Sequence, residues 1–118
     1  MHFTVRYGRT WTFEFGPFTR AGAGVVLIGA EGKFVIKRNL NQRDADTDLI
    51  VTEVPSTRGA VTFDVDSHTA IAVINPLASK LTPGEYEWEF ILKESDGTIT
   101  SDQTHGTLTV EQVVGRNV

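Results

Sequence analysis

A chain of 118 residues, 40% hydrophobic and 22% charged, has the apolar content of one globular domain, which excludes a wholly disordered chain. It has no Cys, so disulfides and thiolate chemistry are excluded, and its net charge of −4 with scattered Lys and Arg lacks the basic face of a nucleic-acid binder. No apolar run approaches the roughly 20 residues of a membrane span, and MHFTVRYG carries no signal-peptide pattern, so the expectation is synthesis in a cytoplasm, with no nucleic-acid and no membrane partner.

Taken in order, Phe3, Val5 and Tyr7 alternate with polar residues, Gly8-Arg9 interrupts, and Trp11, Phe13 and Phe15 alternate again. Successive side chains on a strand point to opposite faces, so both pieces read as strands, and a bulge at Gly8 is favoured over a very short hairpin. Gly16-Pro17 ends this element, and Phe18 to Gly24 reads as a loop. Val25 to Ile28 is a short apolar run. In Lys33 to Arg38, Phe34 and Ile36 face one way while Lys33, Val35 and Lys37 face the other, giving a half-buried strand.

Asn39 to Asp48 is polar and reads as an exposed loop. Leu49 to Val54 is a strand stopped by Pro55, which has no N–H to give a ladder. Val61, Phe63 and Val65 alternate with Thr62, Asp64 and Asp66 in a further strand. Ala70 to Ile74 is apolar without alternation, as either a fully buried strand or a short helical turn, and Leu77 to Leu81 has room for one helical turn. Tyr86, Trp88, Phe90 and Leu92 then share one face of the strongest strand, against Glu85, Glu87, Glu89, Ile91 and Lys93 on the other. Asp96-Gly97 turns this strand back, since Gly takes φ > 0 without steric cost. The return offers Ile99, Leu108 and Val110 to the buried side. The expected fold is a single all-β, antiparallel sandwich over residues 1–118, fraying over about 112–118.

Candidate chemistry is sparse. Asp44, Asp46 and Asp48 form a D-x-D-x-D run, but the sixth and twelfth loop positions of an EF-hand are Leu49 and Pro55 rather than Gly and Glu, so that motif fails and no metal site is expected. His2, His68 and His105 stand alone and read as surface residues. No G-x-S-x-G occurs, and Glu85, Glu87, Glu89, Asp64 and Asp66 fit a wet sheet face better than a catalytic pair. RAGAGVVLIG lacks the full glycine pattern of a phosphate loop. No cofactor and no enzymatic activity are expected. Trp11, Trp88 and the seven Phe are candidates for a sugar-stacking platform, although aromatics at strand spacing are more often core.

Three segments carry a resemblance: LIGAEGKFVIKR (Leu27 to Arg38), LTPGEYEWEFILKESDGTI (Leu81 to Ile99) and GTLTVEQVV (Gly106 to Val114). Together they resemble the immunoglobulin-like N-terminal domain of phage baseplate upper proteins, and small virion proteins of tailed phages and prophages. The resemblance covers roughly Arg6 to Val114. It implies an immunoglobulin-like sandwich with no catalytic residues. It further implies a virion component, in the tail, baseplate, fibre attachment or capsid decoration, whose partners are other phage structural proteins, in a homo-oligomer or docked on a larger assembly. A carbohydrate-binding module is the alternative on the same architecture. The long, aromatic first segment is poorly protected if it forms a sheet edge. Phe3, Val5, Tyr7, Trp11 and Phe18 are therefore the candidate interface residues.

Overall fold

The computed structural model describes residues 1–38, 49–76, 78, 81–100 and 105–112. The strands run in order as β1 (His2–Arg6), β2 (Trp11–Phe15), β3 (Thr19–Arg20), β4 (Ala23–Gly24), β5 (Glu31–Lys37), β6 (Leu49–Thr52), β7 (Gly59–Asp64), β8 (Thr69–Ile74), β9 (Gly84–Lys93), β10 (Ile99–Thr100) and β11 (His105–Glu111), with no helix among the described residues. One sheet has the order β1-β11-β9-β5-β6, with β10 also on β9, and the facing sheet has the order β2-β8-β7. β3 and β4 form a small separate hairpin. Every pair is antiparallel except β1 and β11, which run parallel with His2 beside Thr107 and Arg6 beside Glu111.

The core forms where the alternating rows of the two sheets meet. Trp11, Phe13 and Phe15 come from β2; Phe34 and Ile36 from β5; Tyr86, Trp88, Phe90 and Leu92 from β9; Leu108 and Val110 from β11. Phe15 stacks on Phe90 at 4.7 Å between centroids and meets Trp88 at 5.3 Å. Phe13 meets Phe34 at 5.0 Å. Such ring pairs add to plain area burial. Ala72 and Ala70 lie opposite Phe13 and Phe15 in the β2–β8 register. Small residues there leave volume for the rings. Ala70 to Ile74 is thus a strand, and its lack of alternation reflects its central place in the sheet.

The buried polar tips are satisfied. Trp88 Nε1–H donates to the Thr107 carbonyl at 3.1 Å, and Tyr86 Oη–H donates to the Thr82 carbonyl at 2.6 Å. A Tyr near the start of this strand whose hydroxyl reaches back to the preceding backbone is a mark of immunoglobulin-like domains, and the residue two positions later is where antibody domains place a disulfide cysteine. Trp88 occupies that place here, so aromatic packing joins the sheets where a covalent link does elsewhere.

Several sequence expectations change. Gly8 is neither a bulge nor a hairpin turn. β1 and β2 belong to different sheets, and Tyr7 to Thr10 carries the chain between them, with Gly8 at φ 72°. Both strands alternate toward the core, but from opposite sides of it. Ile99 is 63% exposed rather than buried. It pairs with Lys93, and cross-strand partners share a face, so it points outward with the lysine. Val35 and Lys37 are buried although they lie on the outer face, because β5 is flanked on both sides and Glu89, Ile50 and Glu87 stand beside them in register. His68 is half-buried, with φ 60° and its Nδ1 at 2.8 Å from the Val25 carbonyl. Val65 lies in the turn after β7, not in the strand. The Asn39 to Asp48 loop with its three aspartates, most of the Leu77 to Leu81 segment and the tail beyond Gln112 lie outside the described residues.

Candidate functional site

The sequence HFTVR makes β1 an amphipathic edge. Phe3 and Val5 point inward and pack against the core as half-buried residues. Phe3 meets Phe13 at 4.9 Å and Trp88 at 5.2 Å. His2, Thr4 and Arg6 are exposed on the outer face.

The ladder fixes which peptide groups are used. The Met1 carbonyl accepts from Thr107 N–H at 3.0 Å, and Tyr7 N–H donates to the Glu111 carbonyl at 2.9 Å. In a parallel ladder alternate residues bond to one neighbour, so the odd residues of β1 turn their peptide groups to β11. The even residues, His2, Thr4 and Arg6, turn theirs away from β11, and β1 pairs with no other described strand. The Arg6 carbonyl is satisfied by Trp11 Nε1–H at 2.7 Å and by Arg9 N–H at 3.3 Å. The N–H groups of His2, Thr4 and Arg6, with the carbonyls of His2 and Thr4, form the outer row of the edge.

A polar clasp holds the start of β1 in place. His2 Nδ1 lies 2.6 Å from Thr107 Oγ1, and its Nε2 lies 3.1 Å from Thr109 Oγ1. The Thr109 hydroxyl donates to Glu85 Oε1 at 2.8 Å. Gly106 permits the close approach, since a Cβ there would sit 1.9 Å from the Met1 carbonyl oxygen. The glycine of the closing GTLTV segment thus has a steric role beside β1.

Of the candidate interface residues, Tyr7 is 37% exposed, beside the edge. Phe3 and Val5 are half-buried and present their flanks to it. Trp11 and Phe18 do not belong to the surface. Trp11 is 3% exposed and spends its N–H on Arg6, and Phe18 is 8% exposed against Phe90. Sequence reasoning missed His2, Thr4 and Arg6, whose signal lay in the even positions of the same alternation.

A second cluster sits at the loop end of the sandwich. Val26 and Ile28, in the β4–β5 connection, are 61% and 67% exposed, and Gly29 lies beside Ser95 in the β9–β10 turn. Arg20 of the small hairpin makes an ion pair with Glu94, which raises the guanidinium pKa. In the same turn Thr98 N–H donates to Asp96 Oδ1 at 2.9 Å, and this holds the Asp96 carboxyl below its ordinary value. Ser67 N–H does the same for Asp64 at 3.2 Å. No group of three or more His, Asp or Glu able to hold a metal ion occurs among the described residues.

No family model matches the chain, and no curated protein matches it. Among solved structures it is similar to one described as the crystal structure of Dpr2 Ig1-Ig2 in complex with DIP-Theta Ig1-Ig3, at 16% identity and a TM-score of 0.52 over 96% of this chain. The chain spans 44% of the length of that matched chain. At that identity the likeness bears on the fold alone, and with the sheet order and the Tyr86 corner it makes this chain an immunoglobulin-like β-sandwich.

Proposed function

We propose that the chain is a non-enzymatic assembly module of a phage particle, docking on other virion structural proteins through strand addition at β1. The observation that carries the docking part is the outer row of peptide groups at His2, Thr4 and Arg6, facing away from β11 with no described strand against them. Unpaired edge groups are a template for another strand, and this edge carries no Pro and no inward-pointing charge to block one. The phage assignment is supported by the residue pattern of Leu27 to Arg38, Leu81 to Ile99 and Gly106 to Val114. In this reading the protein resides in the virion, as a tail, baseplate, fibre-attachment or capsid-decoration component, in a homo-oligomer or docked on a larger assembly.

The packing of the aromatics favours assembly over sugar binding. Both Trp and all seven Phe are buried or half-buried, which leaves no stacking platform of the kind weighed from the sequence. The test is quantitative mass spectrometry of purified particles from cells that make the protein. The expected result is a fixed copy number per particle, with loss of incorporation in Thr4→Pro, which removes an outward N–H and spares the β11 ladder. Particles that lack the wild-type protein would overturn the virion reading.

A further inference from the structure

The chemistry of the β1 edge limits what can add to it. An added strand continues both faces of the sheet, so its side chains alternate between the row of His2, Thr4 and Arg6 and the row of Phe3 and Val5. The outer row carries a single formal charge, that of Arg6, in a chain whose net charge is −4 with His counted neutral. Arg6 is exposed beside Glu111 in register, yet makes no ion pair among the described residues. On the inner row, Phe3 and Val5 are half-buried at the border of the core, so apolar groups at alternate positions of the incoming strand extend that core.

The same residues argue against a second copy at this edge. Antiparallel pairing of β1 with β1 of another copy, centred on Thr4, sets His2 opposite Arg6 twice. The facing strand of a second copy then offers Arg6 an imidazole already held by Thr107 and Thr109, and no carboxylate.

Resting on the reading of β1 as the docking edge, we propose that its occupant is an extended, amphipathic acidic segment of a different protein. Its carboxylates lie on the face of His2, Thr4 and Arg6, and its Val-like or Ile-like side chains lie on the face of Phe3 and Val5. Complementary charge at such a rim selects the partner and speeds encounter more than it adds raw affinity. Docking therefore weakens as salt rises.

The test uses the full chain, labelled with nitrogen-15, and two end-capped peptides: one of alternating Glu and Val, the other of alternating Lys and Val. The expected result is that the Glu peptide shifts and protects the Thr4 and Arg6 amides at a concentration about tenfold below that needed for the Lys peptide. Arg6→Glu is expected to reverse the order of the two peptides. Thr4→Pro is expected to abolish binding of both while leaving the melting temperature near that of the parent. If the Lys peptide binds as well as the Glu peptide, the acidic partner is wrong while the edge reading survives. If neither peptide moves the β1 amides, the edge reading fails and the partner falls with it.

Discussion

Trp88 concentrates the stability of this molecule in one side chain. It is 1% exposed, touches rings from both sheets and spends its N–H on Thr107. Trp88→Ala is expected to cost ~3–5 kcal/mol in urea unfolding, as for other fully buried aromatics. Tyr86→Phe removes one hydrogen bond to Thr82 and is expected to cost about 0.5–1.5 kcal/mol by the same measurement. Gly59 has φ 142°, and a Cβ there would lie 1.9 Å from the Val73 carbonyl oxygen. Gly59→Ala therefore combines strained backbone with overpacking, and a loss of about 1–3 kcal/mol or more is expected in the same titration. The pH response follows from Asp64 and Asp96, whose carboxyls are held below their ordinary values by backbone N–H groups of Ser67 and Thr98. A depressed folded-state pKa contributes stability above the unfolded value of about 3.9. That contribution is lost as pH falls through the lower folded value. Melting temperature is expected to drop below about pH 4, and less steeply in an Asp64→Ala, Asp96→Ala double variant. An unchanged slope would show that these turns contribute nothing.

At the scale of elements, the strands were legible where one face is wet. β9 alternates Tyr86, Trp88, Phe90 and Leu92 against Glu85, Glu87 and Glu89, and the period fixes which row is buried. Alternation failed to predict burial at Val35 and Lys37 of β5, because a strand flanked on both sides can bury residues of either row, whereas the unbroken apolar run of β8 left a buried strand open as one of two readings. The small β3–β4 hairpin was invisible, since two-residue strands carry no period. β1 was legible as a strand and as a candidate edge. Its parallel pairing with β11 was not, because pairing direction between ends of a chain is a tertiary property. That direction decides which peptide groups face outward. Two of the five candidate interface residues, Trp11 and Phe18, fell for a related reason: tertiary closure buried them.

At the scale of the molecule, the all-β class was written in many short runs broken by Gly and Pro, but the division into two sheets was not. Gly8 looks alike in a bulge, a hairpin and a crossing between sheets, and burial of Phe3 and Phe13 from opposite sides selected the crossing. Stability of the whole chain is expected to be independent of metal. The Asp44, Asp46, Asp48 run lacks the glycine and glutamate of an EF-hand, so EDTA should leave the melting temperature unchanged, and a rise of several degrees with millimolar calcium would contradict this. The docking reading requires that the larger sheet end, among the described residues, in a strand with nothing paired to its outer row. Amide hydrogen exchange, resolved residue by residue by NMR on the full chain, tests it most directly. Slow exchange is expected at Phe3, Val5 and Tyr7, which donate toward β11, and fast exchange at Thr4 and Arg6. Slow exchange at Thr4 and Arg6 as well would mean that the β1 edge is already paired, and the docking account would be wrong.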